Sequence, residues 1–117
     1  MNLMPVAPST SAPPALTALT LRQQNRRFRG TGGVSAGNRS LGFAPAFLDT
    51  QTGEVYRACF ADGRPAPMHL LEGLPSALVV ARDVAGRATA IHPTVTVGFV
   101  RGTRFFTREQ AAALVMN

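Results

Sequence analysis

The chain has 117 residues, 45% of them hydrophobic, with a formal net charge of +6, one cysteine and no tryptophan. That length holds one domain, lone Cys59 forms neither an internal disulfide nor a zinc-type cysteine cluster, and no run nears the roughly eighteen apolar residues of a membrane span. The opening MNLMPVAPSTSAPP lacks a charged start and a continuous apolar stretch, which argues against a secretory signal and for a cytoplasmic protein.

All twelve basic residues are Arg. Codon usage in a GC-rich genome is one origin; the physical consequence is the same, because guanidinium forks bind phosphate and carboxylate bidentately and stack on rings. Residues 1–40 hold Arg22, Arg26, Arg27, Arg29 and Arg39 and no acid, whereas residues 41–117 set seven Arg against six acids. Nearly the whole excess charge therefore precedes residue 41.

Residues 1–15 are mostly Pro, Ala, Ser and Thr, a composition too poor in bulky apolar groups to offset ordering entropy. Ala15 to Phe28 allows a short amphipathic helix ending in basic residues, weakened by Thr17 and Thr20. Gly30 to Ser40 reads as a flexible tether. We therefore expect a disordered arm over 1–40 and a single domain over 41–117.

Phe43 to Phe60 reads as a hairpin on which the rest is organised. Asp49-Thr50-Gln51-Thr52-Gly53 supplies the turn, and Phe47-Leu48 and Val55-Tyr56 supply β-preferring flanks. Pro45 places the first strand at a sheet edge. Pro67 to Gly73 reads as one or two helical turns, and Ala77 to Arg82 as a central strand, apolar on both faces. Arg87 to His92 and Thr94 to Arg101 are further strands, the second putting Val95, Val97 and Phe99 on one face. Thr103 to Phe106 returns. Thr107-Arg108-Glu109-Gln110 is a capping box opening a helix, with Phe106 stapled on Ala111 and a buried stripe of Ala111, Leu114 and Val115. The expected fold is α+β: a small antiparallel sheet or open barrel of about five or six strands, a short inserted helix and a C-terminal helix, behind a disordered arm.

The chemistry available is thin. His69 and Glu72 make at most two ligands where a metal needs three or four. Cys59 has no local setting of a nucleophile. Gly30-Thr31-Gly32-Gly33 lacks the preceding strand, following helix and lysine of a phosphate loop. We expect no enzyme, no metal and no cofactor. The arm residues Arg22, Arg26, Arg27, Phe28, Arg29 and Arg39 have the interleaved pattern that follows a phosphate backbone without reading sequence. Arg101, Arg104, Phe105 and Arg108 form a secondary patch near the C-terminal hairpin. A protein partner is the alternative, with the arm docking on it or on a second subunit, and a core this small leaves room for a homo-oligomer.

NRSLGFAPAFLDTQTGEVY, FADGRPAPMHLLEGLP and GFVRGTRFFTREQAA are similar to stretches in short uncharacterised proteobacterial proteins associated with plasmids and integrative elements. The resemblance spans about residues 38–112. That group has no assigned activity, so it implies a setting, mobile DNA and its conflicts with a host, and no site residue. The arm lies outside the matched stretch.

Overall fold

The structure is a computed structural model that describes residues 16–116; the expectation of disorder over 1–15 lies outside the described residues. The chain is α+β, as composition and periodicity suggest. Its strands divide between two antiparallel sheets. The larger has the order β3-β2-β6-β7: β2 is Ala44–Asp49, β3 Val55–Arg57, β6 Val95–Arg101 and β7 Arg104–Thr107. The smaller has the order β1-β5-β4: β1 is Leu16–Thr17, β4 Val79–Arg82 and β5 Ala88–Ile91.

The hairpin forms where its turn chemistry puts it. Asp49 Oδ1 accepts from Gln51 N at 3.0 Å, Gly53 takes φ 81°, and Phe47 faces Tyr56 across the ladder. Its first strand is not at an edge, however, since β2 lies between β3 and β6. Pro45 is tolerated there because its carbonyl accepts from Ala58 N at 2.9 Å, so its absent N–H would face the same side, and the Ala58 carbonyl turns instead to Ala66 N. The ladder loses no partner.

Register makes one face of the larger sheet from Pro45, Phe47, Val95, Val97, Phe99 and Phe106. Two apolar clusters grow on it. Phe47, Val95 and Val97 meet Leu16, Leu78 and Ile91 of the smaller sheet and its approach. Phe43, Phe99 and Phe106 meet Ala111, with Val115 against them. The second cluster seats helix α3, Arg108–Met116. Its cap is the expected one: Thr107 N donates to Gln110 Oε1 at 2.9 Å and Gln110 N to Thr107 Oγ1 at 3.1 Å. Leu114 does not join the stripe; it is 46% exposed, and of the three expected residues only Ala111 and Val115 join the apolar cluster.

Three further expectations change. Pro67 to Gly73 is an irregular loop that drops Leu71 into the core, Leu74 is buried just after it, and the short inserted helix is one 3₁₀ turn at Ser76–Leu78. The strand from Val79 is an edge strand with Val80 exposed, because a three-stranded sheet has a single interior place and β5 takes it. Most consequentially, the stretch from Leu16 is built into the domain. Leu16 pairs with Ile91, and Leu21, 6% exposed, sits in the main core. Helix α1, Ala18–Arg27, follows. Thr17 and Thr20 do not weaken it: they form a reciprocal cap, Thr20 N donating to Thr17 Oγ1 at 3.1 Å and Thr17 N to Thr20 Oγ1 at 2.8 Å. The glycine stretch beyond is packed rather than a tether. A Cβ on Gly33 would lie 2.6 Å from the Phe28 ring, and one on Gly32 would collide with Val115, so glycine lets this segment lie flat against α3. Its last residues form a single turn, α2 (Ser35–Asn38), and Asn38 Nδ2 donates to Gly32 O at 2.6 Å.

Candidate nucleic-acid interface and adjoining cleft

Helix periodicity decides which arginines stand together. Arg22 and Arg26 are one turn apart on α1, and Arg29 follows in the turn after it, held by Arg29 N donating to Arg26 O at 3.3 Å. All three are exposed, whereas Leu21 on the same helix is buried. The first acid in the sequence is Asp49, so α1 carries no compensating carboxylate. At 1.5 Å rise per residue the Arg22 and Arg26 backbones stand about 6 Å apart along the helix axis. Arg27 and Phe28 lie to one side of this stripe, the Arg27 guanidinium 5.1 Å from the Phe28 ring centre. Arg39 stands apart and donates to Pro67 O at 3.2 Å.

The proposed secondary patch divides into three places. Arg101 and Arg104 are exposed and stack on rings of the second cluster: Arg101 lies 4.5 Å from the Phe43 centroid and Arg104 5.3 Å from that of Phe106. Phe105 is on the other face of the sheet, where its ring covers Gly98. Arg108 is not on the surface. Although it begins a helix, it is 2% exposed and is the largest fully buried side chain of the described residues.

Arg108 enters the interior beside the helix that sequence reasoning had assigned to a separate arm, which is why its burial could not be read from the sequence. Its Nε donates to Gln24 Oε1 of α1 at 3.1 Å and its Nη1 to Gly33 O at 2.8 Å. The guanidinium lies 6.0 Å from the Phe99 ring centre. Nη2 is buried with no partner, and among the described residues no carboxylate lies within 4.0 Å of the group. Loss of hydration pulls its pKa down to about 10, partly offset by the nearby charge of Glu109, so at neutral pH it is still a cation.

Between α1, the approach to β6 and the start of α3 lies a cleft of about 530 Å³ with Arg108 in its wall. Leu16, Phe28, Pro93, Val95 and Val97 supply its apolar surface, and Gln24, Arg27 and Glu109 line it with Arg108. A second titratable group, half-buried, lies against the core face of the larger sheet. His69 Nε2 donates to Gly98 O at 2.7 Å, and its ring meets Phe47 and Phe99 edge-on. Burial drives its pKa down to about 4, against the pull of the Gly98 bond and with help from the charge of Arg108.

Among the described residues no helix is long and apolar enough to cross a membrane, and no three His, Cys, Asp or Glu side chains are grouped to hold a metal ion. Comparison with protein-family models, with curated proteins and with solved structures gives no match.

Proposed function

We propose that the chain is a non-enzymatic binding module that holds nucleic acid non-specifically through phosphate contacts from α1, in the mobile-DNA setting that the resemblance of residues 38–112 implies. The observation that carries this reading is the acid-free stripe of Arg22 and Arg26, on a helix anchored by Leu21, and Arg29 in the turn that follows. The helix fixes the spacing of Arg22 and Arg26, and the turn that closes it holds Arg29 beside them, so less ordering entropy opposes binding than on a loose arm. Arg27 and Phe28 beside the stripe offer a cation and a ring on which a base stacks.

Fluorescence anisotropy on labelled duplex and single-stranded DNA and RNA tests it. Three phosphate contacts give a logarithmic salt slope near −2.7 on duplex, and five, with Arg27 and Arg39 added, about −4.5. Affinity should vary little with sequence, because phosphate contacts position without reading bases. Arg22→Ala, Arg26→Ala and Arg29→Ala together should abolish binding and leave the fold intact. Unchanged affinity of that triple variant would overturn the reading.

One observation favours the alternative, a protein that works by blocking a host partner. The outer face of the larger sheet presents Leu48, Val100 and Phe105, all half-buried, and Val55, 40% exposed, with no element of the described residues packed on them. Apolar contacts of that kind persist at raised salt, whereas phosphate contacts do not. Substituting Val100→Asp should then remove the partner and spare nucleic-acid binding.

A further inference from the structure

A guanidinium closed off from solvent carries a desolvation cost that an anion ordinarily offsets. Arg108 has no such anion among the described residues, and the part of it left without a partner has a defined shape. Nε and Nη2 lie side by side on one edge of the guanidinium, the spacing that two oxygens of a carboxylate or phosphate fit. Gln24 Oε1 takes Nε, a single neutral oxygen on an edge made for two, and Nη2 goes without. Arg108 and Gln24 both belong to the wall of the 530 Å³ cleft, whose volume is in the range of small-molecule sites.

We propose that this cleft binds a small organic anion, one carboxylate or phosphate group on a planar apolar body, with the anionic group displacing Gln24 Oε1 to pair with Nε and Nη2 of Arg108. The walls fit both ends of such a molecule. Phe28, Pro93 and Val95 face its body, and Arg27, stacked on Phe28, adds a second cation. Arg27 and Arg108 against Glu109 leave one net positive charge at the cleft, which suits a single anionic group rather than a polyphosphate. The start of α3, where Arg108 is the first helical residue, contributes favourable amide dipoles. The inference does not rest on the phosphate stripe of the nucleic-acid reading, since none of Arg22, Arg26 and Arg29 lines the cleft; Arg27 and Phe28 are shared by the two surfaces.

Isothermal titration calorimetry of the full chain with sodium benzoate, adenosine monophosphate and inorganic phosphate tests it, read alongside thermal denaturation. Saturable one-to-one binding of benzoate identifies a carboxylate ligand, that of adenosine monophosphate a phosphate ester, and inorganic phosphate should bind more weakly than either. Arg108→Met should weaken binding at least about tenfold, since it removes a charged hydrogen-bond donor pair. Gln24→Glu is the variant that keeps the test sound if Arg108→Met fails to fold. It places a built-in carboxylate on the same edge, so it should raise the melting temperature and lose the ligand together. The proposal is overturned if neither benzoate nor adenosine monophosphate saturates the protein, or if Gln24→Glu binds as the parent does. Binding lost with Arg22→Ala, Arg26→Ala and Arg29→Ala but kept in Gln24→Glu would also overturn it, placing the anion on the α1 stripe.

Discussion

Acidification should destabilise this protein well before its carboxylates titrate, and His69 is the reason. In the folded state its pKa is about 4, chiefly because burial disfavours the imidazolium, against 6.5 for the exposed side chain. The unfolded chain therefore binds the proton between those values while the folded chain does not, so stability rises with pH across that window. The contribution is complete above about pH 6.5, falls by about 1.4 kcal/mol per pH unit below it, and is gone near pH 4. Between about pH 7 and about pH 5 the loss comes to roughly 2 kcal/mol, a large share of the stability of a domain this size. Asp49 and Asp83 also have pKa values lowered below the ordinary 3.8, Asp49 mainly by the Gln51 amide and Asp83 mainly by the Arg87 amide. Their stabilising effect fades only at more acid pH, so the two contributions separate. Urea denaturation followed by far-ultraviolet circular dichroism at several pH values measures the slope; with one Tyr and no Trp, fluorescence would serve poorly. His69→Gln keeps a donor for Gly98 O and removes the titration, and it should flatten the profile between about pH 5 and about pH 7. An equal slope in parent and variant would refute the reasoning.

Two further outcomes test the architecture. Leu21→Ala should cost about 2–4 kcal/mol by thermal or urea denaturation, as for a buried leucine, and a fragment of residues 41–117 should fail to fold cooperatively because it lacks Leu16 and Leu21; a stable fragment would return α1 to the status of an arm. Thr107→Ala should cost about 1 kcal/mol through loss of the cap, whereas Leu114→Asp, at an exposed position, should change stability by no more than about 0.5 kcal/mol.

Local signals were enough for the features that depend on neighbours in sequence. The turn at Asp49–Gly53 needs only a short polar side chain and a residue free to take positive φ, and both are visible in the letters. The same holds for the Thr107–Gln110 capping box and for the alternation that buries Val95, Val97 and Phe99 on one side of β6. Each is decided within a few residues.

Tertiary structure decided the rest, for a reason that recurs. Leu16 and Leu21 sit in a stretch rich in Thr and Arg, so composition assigned them to an arm; the partners that bury them, Ile91 and the core around Phe47, lie far along the chain. The glycines at 32 and 33 look like a flexible spacer until Phe28 and Val115 are seen against them. Arg108 carries the sharpest case. One face of a capped helix start gives no sign that its guanidinium will turn inward, because the Gln24 and Gly33 oxygens it meets and the cleft beside it come from a segment some eighty positions earlier, brought there only by the packing of α1 and the glycine segment against α3. A sequence specifies its caps and turns locally, but whether a charge is solvated or buried depends on what the fold brings to its side.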